Sequence, residues 1–290
     1  MAQEYILGVK VDFGMNKSEV LEKIFECIKD NTSEIICTTN SEFVVDAQKD
    51  VEFRKIINES YMSLPDSSGI VQARKYLSEV KKIKKNMLFP IRALFLGLKI
   101  GLFSFFDKTY TENTLSGSNL IYDICDFASK NNLNVFLLGG KYRNPALRED
   151  MACDTMEILS NIYPSLKIVG ATSKFSVEEV DDEKTLNYIH ECMHSFGVER
   201  IDILLVAYGH PKQEKWLKRN INKIPSCTSV GVGGTFDYVT GFMKRPSKFI
   251  INIHMEWLYR LINQPFRFKR VMKAFPLFPW LVYIFSLNDN

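Results

Sequence analysis

The chain has 290 residues, 46% hydrophobic and 24% charged, enough to bury one large core or two small ones. That balance excludes a disordered, collagenous or multi-span membrane chain. The net charge of +3 averages unequal parts: residues 81–108 carry +6, residues 246–290 carry +4, and the rest is therefore at −7. Both basic segments are also greasy. The last 45 residues hold ten of the 36 aromatic side chains, and residues 87–106 hold five phenylalanines. An acidic body with two apolar, cationic segments predicts a partner that is both anionic and apolar. An anionic membrane surface fits that description; nucleic acid does not.

Residues 1–14 alternate like a strand and include Glu4 and Asp12, so they lack the apolar run of a secretory leader. Asn16–Asp30 puts Val20, Leu21, Ile24, Phe25 and Ile28 on one helical face, with Asn16 and Glu19 at capping-box spacing. Glu34–Thr39 is a β-branched run and predicts a strand. Met87–Phe106 has 20 residues, about a bilayer's length, but Arg92 and Lys99 would each cost about 2.5–3.5 kcal/mol at the centre of a span. Three readings of it stay open: an in-plane amphipathic segment on lipid headgroups, a buried hairpin of core helices, and a true span. Further on, helices are predicted over Ser118–Lys130, residues 146–162, Ser176–Ser195 and residues 211–220. Strands are predicted over Asn134–Leu138, Leu166–Val169, Ile201–Ala207 and Thr228–Val232. This alternation predicts an α/β fold, a doubly wound and largely parallel Rossmann-like sheet. The expected division is a catalytic domain over 1–245, with a basic insertion at about 81–106, and a C-terminal helical, membrane-proximal appendage over 246–290. The six cysteines show no CxxC pair, which predicts reduced thiols in a cytosolic protein.

Ligands gather at the carboxyl ends of strands in such sheets. The segments there are Thr38 and Asn40, Gly139-Gly140-Lys141, Gly209 through Glu214, and Gly233-Gly234-Thr235-Phe236-Asp237. Loops rich in glycine and small polar groups suit a phosphate-bearing ligand, because bare N–H groups can approach its oxygens. Neither a P-loop nor a GxGxxG fingerprint is present, which weighs against a nucleotide-dependent oxidoreductase.

Within Ser63–Val71, a Pro-Asp-Ser-Ser-Gly turn puts the Asp66 carboxylate on a loop, where it can serve as a turn former or as a general base. His190 and His194 have an i, i+4 spacing that can bind zinc, but no third ligand is evident and an exposed helical pair is the plainer reading. No Asp-x-Asp occurs in the chain. An enzyme gripping a diphosphate here would rely on Arg, Lys and backbone donors. Arg260, Arg267 and Arg270, spaced by seven and three, would share a face of a continuous helix, which Pro265 interrupts.

Taken in order, CTTNSEFVVDAQKDVEFRKIINES, LPDSSGIV, FLLGGK, YPSLKIVG, DILLVAYGHPKQEKW, VGVGGTFDYVTGFMKRP and EWLYRLINQPFRFKR resemble the bacterial WecG/TagA/CpsF glycosyltransferases. The resemblance runs from about Gly8 to Arg270. It implies an inverting, metal-independent transfer of a sugar, of N-acetylmannosamine or hexose type, from a UDP-sugar to a polyprenyl-diphosphate-linked acceptor. No cofactor is implied, and the location would be the inner face of the bacterial cell membrane. Asp66 matches the family's general base, and Thr38 and Asn40 match the T-x-N element near the donor sugar. Gln213 and Glu214 match the nucleotide-pocket positions. Arg260, Arg267 and Arg270 match arginines that close on the leaving diphosphate. Gly139, Gly140, Lys141, Gly209, Lys212, Gly233, Gly234 and Asp237 complete the expected substrate-binding set. A homo-oligomer is compatible with all of this.

Two departures stand out. The family's Arg-Val-Thr-Gly-x-Asp becomes Thr114-Leu115-Ser116-Gly117-Ser118-Asn119, losing both charges. The interval from Gly69 to Gly117 is also longer than the family's usual one. The charge losses motivate an alternative, an impaired member serving as a membrane-bound assembly partner; retention of Asp66 and the three arginines argues against it.

Overall fold

The N-terminal alternation folds as a hairpin, β1 (Ala2–Ile6) antiparallel to β2 (Val9–Phe13). Its tight turn at Leu7-Gly8 takes positive φ at both residues, as a two-residue hairpin loop demands. The computed structural model describes residues 2–104, 107, 110, 114, 115, 117–142, 150–244, 246, 247, 250, 256–263 and 268–288. Helix α1 (Lys17–Asp30) follows, capped as its sequence predicts: Asn16 accepts from the Glu19 N–H while Glu19 reaches back to the Asn16 N–H.

Six strands form the main sheet: β3 (Glu34–Thr39), β4 (Met62–Pro65), β5 (Asn134–Gly139), β6 (Lys167–Thr172), β7 (Ile201–Ala207) and β8 (Ser226–Gly231). Their spatial order is β4-β3-β8-β7-β5-β6, and every neighbouring pair is parallel. Side chains alternate between two cores. Ile35, Cys37, Phe136, Leu138, Leu204 and Val206 face one; Ile36, Val135, Leu137, Ile203 and Leu205 face the other. A sheet buried on both faces explains why β7 reads as an unbroken apolar run.

On the first face pack α2 (Ser41–Ala47), α3 (Val51–Glu59), α4 (Ser68–Val80), α8 (Asp182–Phe196) and α9 (Lys212–Asn220). On the second lie α1, α6 (Gly117–Asn131), α7 (Met151–Ile162) and α10 (Thr235–Val239). The doubly wound α/β architecture is therefore the one the sequence predicts. The stretch predicted as helix from Ser176 becomes helical only at a 3₁₀ turn, Glu179–Asp181, before α8. The residue span 143–149, part of the helix expected over 146–162, lies outside the described residues.

Strand β4 and helices α2 to α4 were not among the predicted elements. Met62–Pro65 is short and ends in proline, so its turn signal dominates the sequence pattern. Proline is tolerated there because β4 is the sheet edge. The outer side of β4 is met by the hairpin instead: Ser63 N–H donates to Asp12 Oδ2 at 2.8 Å, and Ser63 Oγ donates to Lys10 O at 2.6 Å.

The basic segment forms α5 (Phe89–Ser104), not a buried pair of core helices. One stripe, Phe89, Ala93, Ile100 and Ser104, is buried, and the opposite side is open. The C-terminal part comprises α11 (Glu256–Asn263), α12 (Phe268–Met272), a π-helical turn (Lys273–Leu277) and α13 (Phe278–Asn288). Helix α13 packs on α2, α4 and α5, burying Phe278, Val282 and Ser286. There Tyr76 and Ser286 share a hydroxyl hydrogen bond of 2.8 Å. All six cysteines are free. Burial pushes the Cys125 thiol up to about 12, leaving it inert.

Candidate active site

The sheet order sets β8 between β3 and β7, so the loops leaving these three strands meet at one carboxyl edge. Thr38, buried at the end of β3, donates its hydroxyl to Gly231 O on β8 at 2.9 Å. Asp66 follows β4 directly. Its N–H donates to Thr39 O at 2.9 Å, and its Oδ1 accepts from Gly117 N–H at 2.7 Å. Gly117 in turn lies against Thr38, where a β-carbon would stand 3.5 Å from the threonine hydroxyl oxygen. Leu115 N–H, bonded to Pro65 O at 2.8 Å, ties the same segment to the end of β4. The half-buried Asp66 carboxylate thus sits at a strand end and accepts from the Gly117 backbone N–H.

Asn40 performs a different task in this structure. It is the N-cap of α2, and its Oδ1 accepts from Glu42 N–H at 2.9 Å and Phe43 N–H at 3.2 Å. The cap leaves its amide nitrogen as the group able to meet a ligand.

Gln213 and Glu214 are both buried in the first turn of α9. Gln213 Oε1 accepts from Gly209 N–H and Gly233 N–H, each at 3.0 Å, and so ties the loop after β7 to the loop after β8. Its Nε2 donates to Glu214 Oε1 at 2.7 Å. This clamp fits only because residue 231 is glycine: a β-carbon there would come within 2.5 Å of Gln213 Nε2 and 2.9 Å of Glu214 Oε1.

Burial pushes the Glu214 carboxyl up to about 6, with the Gln213 donor and nearby His210 opposing the rise. Its Oε2 has no hydrogen-bond partner among the described residues. The folded protein therefore holds this proton more tightly than the unfolded chain does. The associated stability is complete below about pH 4.5 and is lost as pH rises through about 6. A shift of this size corresponds to about 2 kcal/mol. Urea unfolding between these pH values is expected to show a falling component that Glu214→Gln removes; parallel wild-type and variant curves would contradict it.

Gly139 and Gly140 end β5 with φ of +87° and +84°, a conformation that favours glycine. A β-carbon on Gly139 would meet the Tyr208 ring at 2.8 Å, so the β5 and β7 loops lie in direct contact. Gly140 N–H donates to Ala207 O at 3.1 Å. Lys141 beyond them is exposed, as is Gly234, while Asp237 is half-buried in α10.

A second polar cluster borders this edge. His210 Nε2 lies 3.5 Å from Glu42 Oε2 and 3.4 Å from Asp46 Oδ2, with its ring against Phe43. Arg270 Nε donates to Glu42 Oε2 at 2.7 Å, and Lys273 Nζ donates to Asp46 Oδ1 at 2.5 Å. Burial works against the Asp46 charge, but its His210 and Lys273 donors outweigh it and hold the carboxyl below its usual range. The C-terminal segment is thereby pinned to α2.

The structure thus brings together Thr38, Asp66, Gly209, Gln213, Glu214 and Gly233, with Asn40, Gly139 and Gly140 on adjoining loops. It places Lys212 away from them, in an exposed ion pair with Glu178 at 2.7 Å. Arg267 and the Arg260 side chain lie outside the described residues. His190 and His194 are both exposed on α8, the plainer of the two readings of that pair, and no group of three candidate metal ligands occurs among the described residues. Sequence reasoning did not single out Glu42, Asp46, His210 or Lys273. The available signal was the i, i+4 carboxylate pair of α2.

The sequence matches the family described as "Glycosyl transferase WecG/TagA/CpsF family" over residues 4–90 and 97–289. The chain belongs to this family. Two similar proteins carry the name N-acetylglucosaminyldiphosphoundecaprenol N-acetyl-beta-D-mannosaminyltransferase. The one from Bacillus subtilis (strain 168) is 25% identical over 254 residues, covering 88% of this chain and 80% of its own. The one from Bacillus spizizenii (strain ATCC 23059 / NRRL B-14472 / W23) is 23% identical over 242 residues, covering 83% and 76%.

Proposed function

We propose that this glycosyltransferase moves a sugar from a UDP-sugar to a polyprenyl-diphosphate-linked acceptor, with inversion and without a metal. The observation that carries the reading is the Asp66 carboxylate, set by Gly117 N–H beside the Thr38–Gly231 contact at the sheet's carboxyl edge. Asp66 takes the proton of the acceptor hydroxyl as that oxygen bonds to the sugar's anomeric carbon. The bond from this carbon to the UDP oxygen breaks on the opposite face, and the pair of electrons leaves with UDP. Arg260, Arg267 and Arg270 neutralise the departing diphosphate through paired hydrogen bonds. For that role Arg270 must exchange its Glu42 partner for phosphate. The acceptor class is supported by the relatives' names, which specify a diphosphoundecaprenol-linked sugar. Work on such an acceptor places the protein peripherally on the cytoplasmic face of the membrane, with residues 1–245 catalytic and the remainder its membrane-proximal appendage.

The test is a panel of UDP-sugars, including UDP-N-acetylmannosamine, UDP-glucose and UDP-galactose, offered with a short-chain lipid-diphosphate N-acetylglucosamine. UDP release with one donor, unchanged by EDTA and giving the inverted anomer by NMR, is the expected result. Release from no donor would sink the reading. Strict dependence on a divalent ion would sink its metal-free part.

A further inference from the structure

Helix α5 presents a continuous apolar stripe outward. Ile91, Phe95, Leu98 and Leu102 follow one another by four, three and four residues, and the last three are each more than 60% exposed. Its inner side is anchored: Gln72 Nε2 donates to Ser104 Oγ at 3.1 Å, and Gly97 sits against the Tyr76 ring. Helix α13 lies alongside, with Tyr283 OH donating to Pro90 O at 3.3 Å. It exposes Trp280 and Phe285. So many large apolar side chains on adjacent helices exceed what a water-facing surface usually carries.

Charge identifies the occupant. Residues 81–104 and 268–288 contain nine lysines and arginines and no aspartate or glutamate. Lys81, Lys84, Arg92 and Lys99 are exposed around the stripe. Nucleic acid would not require the apolar stripe, and a second copy of this chain would bring the same positive charge. An anionic lipid leaflet supplies both the charge and the apolar phase.

Geometry sets the orientation. At 16 residues α5 is about 24 Å long, less than the roughly 30 Å of a hydrocarbon core, and α4 and α13 cover one of its sides. The apolar run Phe268–Asn288 is long enough to span, but Phe275 is non-helical (φ −156°, ψ 127°), so the run is broken into two helices. Both segments therefore suit the plane of the leaflet.

We infer that α5 and α13 together form one in-plane docking surface for an anionic bilayer, with the α5 stripe as its wedge. The inference deepens the proposed reading and rests on it for the surface's purpose. Helix α4 links the two: its N-terminus follows Asp66, with Phe278 of α13 close to Gly69, and its body carries α5. Docking by this face sets the Asp66 loop near the headgroups, where the diphosphate of a lipid-borne acceptor lies.

The full chain is to be sedimented with vesicles of phosphatidylcholine alone or mixed with phosphatidylglycerol. Binding to the mixed vesicles is expected, with partitioning reduced about tenfold or more by Phe95→Glu/Leu98→Glu and by Trp280→Glu. Turnover on a water-soluble acceptor should be unchanged in these variants, which confirms their folding. Unaltered vesicle binding by the α5 variant overturns the inference. So does a wild-type dimer in sedimentation velocity that the α5 substitutions dissociate. Vesicle binding without transfer from any UDP-sugar leaves the surface standing and removes the function reading instead.

Discussion

Replacing Asp66 by asparagine is expected to lower sugar transfer by about two to four orders of magnitude. Asparagine keeps an oxygen able to accept from Gly117 N–H, so the loop between β4 and α4 keeps its anchor. What it loses is the capacity to take a proton from the acceptor hydroxyl. Turnover at saturating donor and acceptor should therefore collapse. UDP binding by calorimetry should hold, and the urea midpoint should move by no more than a surface substitution would move it. Retention of the wild-type rate would reduce Asp66 to a turn former, the plainer reading that its Pro-Asp-Ser-Ser-Gly setting allows. A wild type with no turnover on any donor would instead favour the impaired-member alternative.

The second large effect is expected from Gly231→Ala. The new methyl would have to stand 2.5 Å from Gln213 Nε2 and 2.9 Å from Glu214 Oε1. Both side chains are buried and cannot swing into solvent. Overpacking of this kind costs about 1–3 kcal/mol. It also pushes Gln213 off Gly209 and Gly233, freeing the loops after β7 and β8 that the clamp holds together. A misplacement of about 1 Å in a reacting site can cost roughly a hundredfold in rate. Transfer activity should thus fall by far more than the folded fraction does. Gly101→Ala is the control: in α5 no described residue outside the helix's own backbone lies within 4 Å of its added carbon, so activity should stay intact. Equal behaviour of the two variants would show that the clamp does not shape the site.

The clamp also changes how two family positions are understood. Gln213 and Glu214 were expected to line a nucleotide pocket; in the structure both are buried, and Gln213 bonds Gly209 N–H, Gly233 N–H and Glu214 Oε1. Their first physical effect is to fix the spacing of glycine loops. Arg270 shows a related pattern, because its guanidinium is held by Glu42 while Lys273 and His210 meet Asp46. The Arg270 cation is thus paired with a carboxylate of α2.

Much of the fold was written locally in the sequence. The capping box of α1, the β-branched run of β3 and the apolar run of β7 predict their elements because cap geometry and burial on two faces act within a few residues. Motif order identified the family. Strand β4 escaped notice because a proline-ended edge strand carries a turn's signature. The His210–Glu42–Asp46–Lys273 contacts escaped it too, since they join residues 42–46, 210 and 273, which no local pattern connects. The same holds for the two basic segments. Their charge and greasiness were plain from composition, but their pairing as α5 beside α13 was not. That pairing depends on which side of each helix the core buries, and only packing in three dimensions decides it.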